Sequence, residues 1–265
     1  MPTQSVNGTN LSYHEAGHGL PVVLVHGFPL DHRIWHAQTH DLAAVSRVIT
    51  PDLRGFGHSA DGGSFTIQSL ADDLYVLLSQ IHALPCMLGG LSMGGYVALA
   101  YARQYSSTLR GLMLIDTRAA ADEPDARAGR DAMIELARTQ GSSAVAEKMM
   151  PKMLAPGTAE SHPHVAAELN SMMHACPAQT IQHALAAMRD RPDARPSLAR
   201  IAAPTLILVG DSDVITPPAA AEEMHQAIRG STLTVITGAG HMSPMEQPHQ
   251  VSRAIKQFLV ALSSK

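Results

Sequence analysis

The pentapeptide Gly90-Leu91-Ser92-Met93-Gly94 sets a serine between two glycines, after the apolar run 86–89 and before the helix-like stretch 96–105. A strand, a sharp turn and a helix with serine at the apex make a nucleophile elbow. So tight a turn holds the serine at strained backbone angles. Side chains two residues to either side would strike neighbouring backbone, so positions 90 and 94 require glycine. The turn aims the hydroxyl outward, and the N–H of Met93, opening the next helix, points where a substrate oxyanion would form. A glycine-rich strand end with an incidental serine gives the same five letters; the flanking strand and helix patterns argue for the elbow.

A serine hydroxyl is a weak nucleophile until a base takes its proton, and the base needs an acid to orient it. In sheets of parallel strands such residues sit in loops at the carboxyl ends. Among fifteen histidines, His241 follows the last strand-like run in Gly238-Ala239-Gly240-His241-Met242, whose small residues leave the imidazole free to reach Ser92. Three aspartates follow strand-like runs: Asp116, Asp211 and Asp213. All keep the chain order serine, acid, histidine. Asp211 can instead hold its own turn through backbone hydrogen bonds, and Asp213 is the favoured acid.

The elements that must position these residues are readable as periodicities. An Asn7-Gly8 turn within 6–15 predicts an opening hairpin. Short apolar or β-branched runs at 22–25, 47–50, 86–89, 112–115, 205–209 and 233–236 suit strands buried on both faces. Helical patterns fall at 66–78, 93–105, 218–228 and 248–262. The alternation predicts an α/β fold with a mainly parallel sheet and helices on both faces. It fails between Asp116 and Pro204, where helix-length segments around 126–139, 142–150, 164–175 and 178–188 predict an inserted helical cap. The expected division is a core of residues 1–116 and 204–265 and a cap of 117–203, hinged near Thr117 and Ala203. Seven of the fourteen methionines (133, 149, 150, 153, 172, 173 and 188) fall in the cap. They can line an adaptable apolar pocket or fill gaps between helices, the more ordinary use.

Composition narrows the function. With 265 residues, 45% hydrophobic and 16% charged, the chain can bury a large core without covalent staples. Its 19 Lys+Arg against 23 Asp+Glu form no basic cluster, which argues against nucleic acid and membrane surfaces as partners. Cys86 and Cys176 read as free thiols. The first residues, Met1-Pro2-Thr3-Gln4-Ser5, resemble no secretory leader, and no apolar run reaches membrane length, so a cytoplasmic location is expected.

Five segments together resemble the α/β-hydrolase superfamily: His26-Gly27-Phe28-Pro29, 51–59 (PDLRGFGHS), Gly90-Leu91-Ser92-Met93-Gly94-Gly95, Gly210-Asp211-Ser212-Asp213, and Gly240-His241 followed by Glu246-Gln247-Pro248. The match spans nearly everything outside the cap. It implies the α/β-hydrolase fold and an acid at Asp213, with Asp116 as the strand-six alternative. It also implies an oxyanion hole from the N–H groups of Phe28 and Met93, and a bracing role for His26. Serine at the elbow sets aside the dehalogenases and epoxide hydrolases of the superfamily, which use aspartate.

The chain looks most like small bacterial esterases and the enol-lactone hydrolases of aromatic catabolism, such as 3-oxoadipate enol-lactonase. The expectation is a hydrolase of a small carboxylic ester or lactone, working without metal or cofactor. His162 and His164 lack a ligand set. Perhydrolysis, as in cofactor-free haloperoxidases, and a low-turnover ligand-binding protein, as in hydrolase-derived hormone receptors, are the alternatives. Trp35 can wall the pocket or pack as core. Arg118 can bind a substrate carboxylate through its guanidinium, or pair locally with Asp122 or Glu123.

Overall fold

The computed structural model describes residues 1–263. Eight strands form one sheet: β1 (Thr3–Val6), β2 (Thr9–Ala16), β3 (Pro21–Val25), β4 (Arg47–Pro51), β5 (Cys86–Leu91), β6 (Leu109–Ile115), β7 (Thr205–Gly210) and β8 (Thr232–Ile236). Their order is β1-β2-β4-β3-β5-β6-β7-β8. Asn7 and Gly8 both take positive φ and close the β1–β2 hairpin, with Val6 opposite Thr9. β2 runs antiparallel to β4, and every pairing from β4 to β8 is parallel.

Helices α1 (His36–Leu42), α2 (Ile67–Gln80) and α3 (Met93–Gln104) link the strands through β6, and α9 (Pro218–Ala227) joins β7 to β8. The chain ends with α10 (Ser243–Glu246) and α11 (Pro248–Ser263). Strand residues alternate between two apolar layers, as a period of two demands. Val23, Val25, Leu88, Leu112 and Ile207 pack with Leu70, Leu74, Val97 and Tyr101 of α2 and α3. Val22, Leu24, Met87, Met113 and Leu206 pack on the other face with Leu42, Ile255 and Leu259. Each such side chain contributes about 2 kcal/mol by leaving water.

This topology makes a crevice. From β3 the chain moves outward to β4, then returns to place β5 on the other side of β3, with Val25 opposite Gly90. The loops leaving β3 and β5 therefore diverge at the switch point, where α/β sheets bind ligands. The segment between β6 and β7 contains α4 (Pro124–Met153), α5 (Thr158–Ser161), α6 (Pro163–Ala175), α7 (Ala178–Arg189) and α8 (Arg195–Leu198). The two helices expected at 126–139 and 142–150 are both present within α4, separated by a kink where Gly141 leaves helical angles (φ 79°, ψ −172°).

Candidate active site

Ser92 adopts φ 54° and ψ −112°, a conformation that needs support from its surroundings. The two glycines supply the space: a Cβ on Gly90 would strike the carbonyl of Gly94, and one on Gly94 would strike that of Val25. The turn is tied down by the Ser92 N–H donating to Ile115 O (3.0 Å) and by Thr117 Oγ1 donating to Ser92 O (2.8 Å). Ser92 itself stays half-buried, so a substrate can reach it.

The structure brings Ser92, His241 and Asp213 together from the ends of three strands. His241 Nε2 lies 2.9 Å from Ser92 Oγ, and its Nδ1 lies 2.8 Å from Asp213 Oδ2. A carboxylate only accepts, so Nδ1 carries the proton and Nε2 offers its lone pair to the serine hydroxyl. Asp213 also accepts the N–H groups of Ile215 (2.8 Å) and Thr216 (2.9 Å) and the Thr216 hydroxyl (2.7 Å). Burial opposes charge on Asp213, but His241 and the Thr216 donors outweigh it and hold the carboxyl below its ordinary value. For His241, burial favours the neutral ring, yet the hydrogen bond and charge of Asp213, with Asp116 and Glu246 behind, raise it above the ordinary histidine value.

The other aspartates do different work. Asp116 is fully buried and does not bond the imidazole; it accepts from Gly210 N–H (2.8 Å) and from the N–H (3.3 Å) and hydroxyl of Ser243. It thus ties the end of β7 to the helix that follows the His241 loop. Burial pushes its pKa up to about 7, against the pull of nearby His241 and with the push of Asp213. Asp211 is exposed and accepts from Gly238 N–H (3.0 Å), joining the acid loop to the histidine loop.

Glu246 is a residue whose part sequence reasoning missed. One carboxylate oxygen accepts from Gly240 (2.8 Å) and Met242 (3.2 Å) N–H groups, the other from Ala155 N–H (2.7 Å) and Thr158 Oγ1 (2.9 Å). His241 N–H donates to Met153 O (3.1 Å). The histidine loop is therefore stitched to the helical segment between β6 and β7. Only its place near His241 hinted at this, because its partners lie far away in the chain.

The loop after β3 comes against the elbow, a Cβ on Gly27 falling 3.3 Å from that of Ser92. Among the described residues, neither the Phe28 N–H nor the Met93 N–H donates to another group. Buried His26 holds this loop in place, donating from Nδ1 to Gly27 O (2.8 Å) and accepting from Leu53 N–H at Nε2 (3.0 Å). Burial lowers its pKa, in keeping with a neutral ring that both donates and accepts.

Trp35 is wholly buried with Leu30, Ile34, Met153, Met172 and Met173, the surroundings of a core side chain, and its indole N–H lacks a partner among the described residues. Most methionines of the segment 117–203 pack in the same way. Arg118 donates to Asp122 (3.2 Å), the local pairing, and also lines a cavity of about 340 Å³ beside α3. Phe65, Ile67, Tyr96, Leu99 and Ala187 make that cavity apolar, and Tyr96 stands one helical turn from Ser92. Asp122 is shared with Arg130 (3.0 Å) and Arg191 (2.9 Å), so three guanidinium groups surround one buried carboxylate. His162 and His164 are exposed and gather no third ligand among the described residues.

This fold and site are matched by known proteins. Residues 21–248 match the family model described as alpha/beta hydrolase fold, and the chain belongs to that family. It is 31% identical to the AB hydrolase superfamily protein YisY of Bacillus subtilis, over 94% of both chains. Among solved structures, a thermophilic esterase from Thermogutta terrifontis with malate bound is 41% identical, with a TM-score of 0.96 over 99% of both chains. The enol-lactonase from Burkholderia xenovorans LB400 is 28% identical, with a TM-score of 0.92 over 98% of this chain and 100% of that one. No described helix is long and apolar enough to cross a membrane.

Proposed function

We propose that this protein hydrolyses a small carboxylic ester or lactone through an acyl-enzyme on Ser92. The observation that carries the reading is the unbroken line of hydrogen bonds from Ser92 Oγ through His241 to Asp213, at 2.9 and 2.8 Å. His241 Nε2 takes the serine proton as Oγ attacks the carbonyl carbon. The carbonyl oxygen becomes an oxyanion received by the Phe28 and Met93 N–H groups, and losing one such donor raises the barrier by about 3 kcal/mol. His241 then gives its proton to the departing alkoxide, leaving the acyl group on Ser92. In the second half His241 deprotonates water, which attacks the acyl carbon and frees the serine. Asp213 keeps the ring in the working tautomer and stabilises the imidazolium formed in each half.

Residues 117–203 act as the lid over the crevice and set which acyl groups fit. Malate bound to the 41% identical esterase supports an acid-bearing substrate, and the enol-lactonase neighbour supports a lactone. Arg118 is the group we assign to the substrate's carboxylate, because it lines the cavity next to α3 together with Tyr96, one helical turn from Ser92, and its partner Asp122 is shared with Arg130 and Arg191.

The test is hydrolysis of p-nitrophenyl esters from acetate to decanoate beside 3-oxoadipate enol-lactone, with Ser92→Ala as the blank. Fast ester or lactone turnover that vanishes in the blank supports the reading. For a lactone, Arg118→Gln should raise KM about tenfold while leaving neutral esters unchanged. Activity retained by folded Ser92→Ala refutes the mechanism. Faster peracid formation from acetate and peroxide than any ester hydrolysis moves the protein to perhydrolysis. Tight retention of a ligand with negligible turnover makes it a binding protein.

A further inference from the structure

Asp52 directly follows β4 and is completely buried, yet no arginine or lysine pairs with it among the described residues. Its neighbour Asp31, by contrast, is held by Arg33 (2.6 Å). The Asp52 carboxylate faces two histidines instead. Oδ1 lies 2.8 Å from His32 Nδ1, and Oδ2 lies 3.5 Å from His58 Nδ1. The three possible ligand atoms all fall within 4.8 Å of one another. Backbone N–H groups of His32 (2.8 Å, to Oδ1) and His58 (2.9 Å, to Oδ2) also hold the carboxylate, so its position is already set.

We propose that His32, Asp52 and His58 form a binding site for a divalent transition-metal ion such as zinc. Metal–ligand bonds of about 2.0–2.1 Å in a tetrahedron put ligand atoms roughly 3.3 Å apart. His32 Nδ1 stands 2.8 Å from Oδ1 and His58 Nδ1 3.5 Å from Oδ2, each facing its own carboxylate oxygen, so a carboxylate binding through both oxygens, or a swing of the 67% exposed His58 side chain, brings both rings onto one ion. Two imidazoles and a carboxylate suit zinc, cobalt, nickel or copper better than calcium or magnesium. On binding, the His32 proton moves from Nδ1 to Nε2, and the ion replaces it between the ring and Oδ1. A cleft beside His32 and His58, bounded by Met172 and Cys176, leaves room for water to complete the coordination. His32 stands four residues after Phe28, so the ion would pin the loop after β3 to the loop after β4.

The experiment is calorimetric titration of the full chain with zinc chloride, and again with cobalt chloride, beside thermal unfolding with and without the ion. The expected result is saturable one-to-one binding and a raised Tm. His58→Ala, a change at an exposed side chain, should weaken binding at least about tenfold and remove the Tm rise. His36→Ala should leave both intact; this residue lies 3.7 Å from Glu168 and could hold an ion on its own. The proposal fails if the wild-type chain shows no saturable binding or His58→Ala keeps full affinity. It fails equally if His36→Ala, rather than His58→Ala, abolishes binding.

Discussion

The elbow and the helical segment 117–203 are held by different kinds of interaction. At the elbow, backbone sterics decide: Gly90 and Gly94 are empty because carbonyls occupy the space, and Ser92 is forced to a positive φ. In the helical segment, side chains reach across long stretches of sequence. Glu246 bonds Ala155 and Thr158, Asp122 gathers three arginines, and Arg191 stacks on the Tyr96 ring at 4.1 Å. The first arrangement fixes the turn through the backbone. The second can be retuned residue by residue without disturbing the elbow.

If the chemistry lives at the strand ends alone, changing their acids should separate sharply. Asp213→Asn is expected to lower turnover about 10⁴-fold, because the ring then takes the wrong tautomer. Asp116→Asn should stay within about tenfold, since Asp116 holds loops rather than the imidazole. The opposite ranking in steady-state assays would move the acid to the end of β6.

The Glu246 carboxylate is the seam between the histidine loop and the helical segment. Glu246→Gln puts an amide N–H₂ where one oxygen accepted buried donors, and should cost about 2 kcal/mol of stability in urea titrations. A loss of only a few tenths would mean that the histidine loop holds without the helical segment.

The smallest effect concerns pH. Because His241 is raised above its ordinary 6.5 and must be neutral to act, kcat/KM should climb with pH through a value above 6.5 and then level off. A wild-type limb below 6.5 would show that burial of the ring outweighs its acidic neighbours.

Much of the architecture could be read in advance, and the reason is local. Each strand from β3 to β8 is a short apolar run whose period and length mark it, and the family match agrees with the fold expected from them. Ser92 and His241 announced themselves through small residues that are useful only in tight loops. What escaped reading depends on partners distant in sequence: Glu246 with residues 155 and 158, Asp116 with Ser243, and His32 with Asp52. Nothing near Asp52 in the chain says that two histidines will face it. The short α1 also went unread, having only seven residues to show a helical period.

The most direct test of the account is to trap the covalent intermediate. The enzyme is mixed with p-nitrophenyl acetate, quenched in acid within the first turnover, digested, and the peptide containing Ser92 examined by mass spectrometry. The account predicts a burst of p-nitrophenol matched by one acetyl group on Ser92, with neither signal in Ser92→Ala. Turnover with no acetyl on that peptide, or acetylation of another residue at the burst rate, would contradict it.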